Sequence, residues 1–317
     1  MALPTNTFTT YSAIGNREDL SDVIYRIDPS DTPFMSGAER EKATAVNHEW
    51  QTQALAAVST TNAVLEGDDA VTDSTTVTVR LGNICQISDK VARVSGTQQS
   101  VEHAGRDDEM AYQEMLKGLE LKRDMESILL ENAPKNAGAA ATARALGTIG
   151  TWIANNDDIA SDGGSPSPVD GSDARTDGTQ RAFTEAQLKN SLQLIWTAGG
   201  KPDTIMAGGF NKQVFSTFTG RATPTEDAKS KKIVASVDAY ESDFGKLSVV
   251  ANRFQRARDV HILQMDMWAV AYLTGRKFVS TKLAKTGDSE RTQILSEYTL
   301  VARNEKASGG VYDLTTS

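Results

Sequence analysis

The sequence predicts an α+β fold, from a long amphipathic helix near residues 106–132, a last third that reads mainly as strand, and an α/β alternation between them. A long helix laid across a sheet supplied from later in the chain buries both apolar faces at once. At 317 residues the chain can bury one large core or two smaller ones, and the separate α/β stretch points to two lobes.

Residues 1–44 mix polar with scattered apolar residues, and Asp28-Pro-Ser-Asp-Thr-Pro33 supplies two prolines that forbid a continuous helix. An extended arm is expected, with a short helix near Arg17–Tyr25 capped by Asn16 and opened by Glu18 and Asp19. Alternation at Val46–Leu55 and at Thr75–Ile87, clearest in Val77, Val79 and Leu81, predicts two strands. The stretch between them, Ala56–Ser74, is small, polar and acidic, so the pair makes a projecting hairpin with too little core of its own.

The long helix is expected from Arg106 to Asn132, with Asp107, Asp108 and Glu109 complementing its N-terminal dipole and Pro134 ending it. Ala111, Met115, Gly118, Leu121, Met125 and Ile128 form its apolar face. Residues 155–181 are rich in Gly, Ser, Asp and Pro and read as a mobile surface loop, too poor in apolar residues to pack. Thr184 then caps a helix through Trp196 that Gly199-Gly200 stops. A strand at Thr204–Ala207 and a helix at Asn211–Phe218 follow, and later strands are expected at 246–251, 260–265, 268–273 and 294–301.

With 33 Lys+Arg against 42 Asp+Glu, the formal net charge of -9 argues against direct, sequence-reading DNA binding, which depends on cation contacts. An acidic wall can still enclose DNA, which slides along it without sticking. Cys85 is the one cysteine, which excludes an intrachain disulfide and every multi-cysteine metal site. The N-terminus has neither a basic start nor an apolar h-region, and no apolar run approaches the ~20 residues of a membrane span. A cytoplasm-like compartment is expected.

No pattern of catalytic chemistry emerges. Gly199-Gly-Lys201-Pro lacks the preceding glycines of a phosphate loop and reads as a helix stop, and no Gly-x-Ser-x-Gly elbow is present. His48, His103 and His261 lie far apart, and His48-Glu49 has no second histidine four residues on. Cys85 reads as a part-buried hydrophobe in the second hairpin strand. Asp158-x-x-x-Asp162-Gly and Asp173-x-Arg-x-Asp177-Gly echo a calcium loop, but Val169 and Thr184 stand where the bidentate Glu belongs. The chain is expected to be no enzyme and to hold no metal or cofactor.

Several segments point further: Arg17-Glu-Asp-Leu-Ser-Asp with Pro29-Ser-Asp-Thr-Pro-Phe-Met, Phe183-Thr-Glu-Ala with Gly199-Gly-Lys-Pro-Asp, Asp243-Phe-Gly-Lys-Leu, and Thr286-Gly-Asp through Glu297-Tyr-Thr-Leu-Val-Ala-Arg-Asn-Glu. Their wording, and the order of elements along nearly the whole chain, resembles the major head (capsid) proteins of tailed bacteriophages, with the Hong Kong 97-type fold. The resemblance implies an N-arm over 1–44, an E-loop hairpin over 45–95, a peripheral domain with its spine helix over 96–144, an axial domain over 145–250 and returning peripheral strands over 251–317. It implies a virion subunit that forms pentamers and hexamers around double-stranded DNA, with separate scaffold and portal proteins and a decoration protein as partners. The chain lacks the long charged helical leader many head proteins carry, and its initial Met1 favours a separate scaffold over a processed form. An encapsulin-like nanocompartment shell would share the fold, and an α/β enzyme is the alternative of another class.

Candidate interaction residues follow from charge. Glu66, Asp68, Asp69 and Asp73 crowd acid onto a hairpin tip that cannot fold on itself, while Lys277, Lys282, Lys285 and Arg291 flank the late strands. By the resemblance, that surface is the one over which a neighbour's E-loop is laid, so the acidic tip is expected to dock there between subunits.

Overall fold

In a computed structural model the described residues are 30–69, 75–102, 105–218 and 238–317. The expected helix at Arg17–Tyr25, as well as His103 and Asp73, lies outside them. In chain order the elements are α1 (Pro33–Gly37), β1 (Glu39–Ala43), β2 (Asn47–Thr52), β3 (Val79–Ile84), β4 (Gln86–Ser95), α2 (Gly96–Ser100) and α3 (Glu109–Leu129). Then come β5 (Asp157–Asp158), α4 (Glu185–Thr197), β6 (Thr204–Ala207), α5 (Gly209–Phe215), β7 (Ala239–Ser242) and β8 (Gly245–Ala251). The chain ends with β9 (Val260–Leu263), β10 (Trp268–Leu273), β11 (Val279–Lys282), β12 (Ser289–Ala302) and β13 (Gly309–Val311).

Two sheets carry the fold, and each has its own core. In the first, β12 pairs antiparallel with β4, β10 and β11, and β1 adds in parallel to β10. Helix α3 packs on β4 and β12. The core beneath it joins Leu121, Met125 and Leu129 of the helix to Phe34, Trp152, Trp268, Tyr298 and Leu300. The second sheet runs β5-β13-β9-β6-β8-β7. Its core packs Leu188, Leu192 and Ile195 of α4 and Phe215 of α5 against Ile205, Val260 and Ile262. Fully burying one such aliphatic side chain stabilises by roughly 1.5–3 kcal/mol.

Local chemistry explains the helix ends. Asp108 caps α3 by accepting from the Met110 and Ala111 amides, and Thr184 with Gln187 forms a reciprocal capping box on α4. Pro33 sits at the first position of α1, where no amide is needed. Gly199 ends α4 with φ +91, a left-handed conformation that favours glycine.

Five expectations need correction. The long helix is three residues shorter at each end than expected, and its apolar face is buried only toward the C-terminus: Leu121 and Met125 are inside, but Ala111 and Met115 face solvent. The hairpin β2–β3 stops at Ile84, and Cys85 forms the one-residue break before β4. Residues 33–43, expected as arm, are bound into the first sheet, with Phe34 wholly buried and β1 paired to β10. Strands β9 and β13 belong to the second sheet, so the sheet boundary does not fall at residue 250; the chain returns to the first sheet at Trp268 and revisits the second at Gly309.

Residues 155–181 also pack, contrary to expectation, and they do so through charge. Arg175, 3% exposed, pairs with Asp157 and lies over the Tyr312 ring at 3.5 Å. Asp177 is held by Arg256 and Arg258, Asp158 by Arg181, and Asp162 by the amide and hydroxyl of Thr179. Composition gave no sign of this, because each partner lies outside the segment or far along it.

Candidate assembly surfaces

The hairpin β2–β3 runs in register from Asn47 opposite Ile84 to Thr52 opposite Val79. One further rung follows, as Gln53 donates its amide to the Thr76 carbonyl and Thr76 donates its hydroxyl to the Ala54 carbonyl. Beyond that rung every described residue of 53–69 is exposed. Leu55 is 96% exposed and Val58 94%, and Val64 and Leu65 are nearly as open. Leaving such side chains in water forgoes the burial energy that folding normally gains, so this arm is built to be covered.

A turn closes the acidic end. The Asp68 amide donates to the Leu65 carbonyl at 3.2 Å, and Gly67 takes φ +85, which a glycine at the third turn position supplies without strain. Glu66, Asp68 and Asp69 are thereby displayed on an exposed tip directly beside Val64 and Leu65.

The basic set is only partly gathered. Lys282 stands at the end of β11 opposite Thr292, and Lys285 and Arg291 flank the turn that follows. Lys277 lies before the other end of β11, on the order of 15 Å away at ~3.3 Å per strand residue. It sits over the Tyr272 ring at 4.8 Å. Lys285 is paired with Glu290 at 2.8 Å, and Arg291 donates to the Ala284 carbonyl. Arg93 stands opposite Arg291 in the β4–β12 register and adds a cation that the sequence reading missed. It belongs to an exposed face of β4 on which Ile87 and Val91 alternate with Asp89 and Arg93. That alternation is legible in the sequence beyond Ile87, where the expected strand ends.

The residues with chemical potential are accounted for internally. Cys85 is fully buried, and burial pushes its thiol up to about 11, so it stays protonated and inert. His48 faces Glu41 at 3.5 Å. His261 is sealed inside the second sheet beside Gln255 and Tyr312, where burial, aided by Arg175 and Arg256, pushes it down to about 3 and keeps it neutral. The four acids of the calcium-like echo point to arginines, Thr179 or backbone, and among the described residues no three His, Cys, Asp or Glu are grouped to hold a metal. No helix among them is long and apolar enough to cross a membrane.

A two-sheet frame with a long helix on one sheet and a projecting, uncovered hairpin is the Hong Kong 97-type fold of a shell-building subunit. Solved structures bear this out across almost the full chain. Gordonia phage Cozz aligns with a TM-score of 0.65 at 10% identity, covering 99% of this chain and 98% of that one. The cyanophage A-1(L) capsid asymmetric unit aligns at 0.64 and 12% identity, covering 97% and 98%. The capsid of the native GTA particle aligns at 0.63 and 8%, covering 96% and 98%. The chain is also 28% identical to the major capsid protein of Escherichia phage Phieco32, over 98% of each. The family model for the SU10 major capsid protein matches residues 3–315, and the chain belongs to that family. It is a structural protein of the virion capsid and not an enzyme.

Proposed function

We propose that this subunit closes pentameric and hexameric rings and that the rings tile an icosahedral shell around the double-stranded DNA of a tailed phage. The hairpin β2–β3 acts as the E-loop, the first sheet with α3 as the peripheral domain, and the second sheet with α4 and α5 as the axial domain. The residues ahead of Pro33 act as the N-arm. Further partners are a scaffold during assembly, a portal, and a decoration protein of the kind named together with the phage G major capsid protein. A heterologous contact repeated around a ring closes when its rotation divides the circle, and arms that cross to neighbours then act at high effective concentration. The net charge of -9 leaves the enclosed DNA unbound.

The observation that carries this reading is the uncovered apolar arm at 53–69, which a neighbouring copy would cover. Its acidic tip, Glu66, Asp68 and Asp69 with Asp73, docks on the basic set Lys277, Lys282, Lys285 and Arg291 of that neighbour. Exposed pairs contribute only ~0 to 1 kcal/mol each, so the effect is cumulative and screened by salt. Replacing Glu66, Asp68 and Asp69 together by Ser tests it. Subunit melting should be unchanged, while shell yield falls at low salt and no longer declines as salt is added. Equal yields of parent and variant at every salt concentration would refute the docking.

A further inference from the structure

Helix α3 carries a stripe at the three-and-four spacing of a helix seam: Ala111, Met115, Gly118, Lys122, Met125 and Leu129. The C-terminal half of the stripe is closed by the chain's own core, with Met125 and Leu129 wholly buried. The N-terminal half is open among the described residues: Ala111 and Lys122 are exposed, and Met115 is 51% exposed. Gly118 lies within this open stretch, and a Cβ built on it would meet nothing within 4 Å. Glycine inside a helix costs stability relative to alanine, and the packing of the described residues gives no reason for it here. On an uncovered helix face, however, a glycine leaves room for a large side chain of another helix to seat closely. The charges beside it are also open: neither Glu114 nor Lys122, four residues to each side of Gly118, has an ion-pair partner among the described residues.

We infer that this stripe is an isologous contact: α3 of a second copy of the chain packs on it antiparallel, and Met115 of each copy seats on Gly118 of the other. The inference rests on the shell-subunit reading above and adds a join between one ring and the next. A contact repeated around a ring is heterologous, whereas two rings side by side are related by a two-fold axis, so a contact across that axis must be self-complementary. The stripe has that property. In an antiparallel pair centred between Leu116 and Lys117, Met115 stands opposite Gly118 and Ala111 opposite Lys122, each twice, so the largest apolar side chain meets the smallest residue. Lys122 then lies beside Asp108 and Glu114 of the facing helix, at its acidic start, and gains the partner it lacks within its own chain. The other uncovered apolar element, the arm of 53–69, suits the stripe less well. Its only charges are Glu66, Asp68 and Asp69, which Asp107, Asp108 and Glu114 repel.

Exchanging the two central residues tests the contact. Gly118→Met should melt no lower than the parent, since the added side chain enters open space in its own chain. It should nevertheless stop at rings, with closed shells below a tenth of the parent's yield by electron microscopy. Combining Met115→Gly with Gly118→Met again sets a large residue opposite a small one across the two-fold axis, and closed shells should return. Closed shells at the parent's yield from Gly118→Met would overturn the inference. An exchange variant that still stops at rings would overturn it too, by placing another element, such as a neighbour's arm, on the stripe. Loss of rings together with shells in Gly118→Met would overturn it by moving this face into the ring contact. Should Gly118→Met fail to fold, charge decides instead: Lys122→Glu should lower shell yield several-fold at low salt, and adding Glu114→Lys should restore it, whereas equal yields for these two variants would sink the contact. A parent chain that forms no rings at all would instead overturn the shell-subunit reading.

Discussion

Glu126 is where three parts of the chain converge. Its carboxylate, fully buried on α3, accepts the Phe34 amide at 2.7 Å, the Met35 amide at 2.9 Å and the Asn252 side-chain amide at 2.7 Å. It thereby fixes α1 and the segment leaving β8 to the long helix. Burial raises the carboxyl above the usual carboxylate range, although the three donors pull it down. A carboxyl raised in the folded state adds stability below that value and loses it as pH rises through it. The melting temperature of the parent relative to Glu126→Gln should therefore rise as pH falls from neutrality toward the ordinary carboxylate range. Glu126→Ala should cost at least about 3 kcal/mol by orphaning three buried donors. A difference between parent and Glu126→Gln that does not change with pH, or changes with the opposite sign, would contradict this account. The sequence hid the role: Glu126 sits one residue from the expected apolar face, and its partners lie 91, 92 and 126 residues away.

Among the elements, those whose signals are local were legible. The cap at Thr184, the stop at Gly199 and the strand Thr204–Ala207 follow from neighbouring residues, and all stand where expected. The segment 155–181 misled because its order comes from distant arginines. Burial alone would raise the Asp177 carboxyl, but Arg256 and Arg258 hold it below the usual range. Its contribution is therefore present at neutral pH and lost as pH falls through that lowered value. Asp177→Asn should cost about 1 kcal/mol after solvent screening and open the segment to limited proteolysis several-fold faster at pH 7. Equal cleavage rates for parent and variant would mean that these pairs do not hold the segment. Gly310 belongs to the same cluster: the Tyr312 hydroxyl lies 2.6 Å from where its Cβ would stand, so no side chain fits there.

At the scale of the molecule, each lobe has a closed core, and the first has open margins. The hairpin leaves the apolar arm of 53–69 in solvent, and α3 leaves Ala111 and Met115. The one cysteine is buried, and no metal ligands are grouped among the described residues. The α+β class was visible in hydrophobic period, and the shell architecture in the order and wording of segments. The interfaces were not, since they lie between copies and leave only uncovered side chains in one. The central claim, that these margins are covered by neighbouring copies in a closed shell, is tested most directly by electron cryo-microscopy of the assembled protein. The account predicts icosahedral particles in which residues 53–69 lie against the first sheet of the adjacent subunit and Met115 is buried on Gly118 of a second copy where two rings meet. Small, open oligomers with both surfaces still exposed would contradict it.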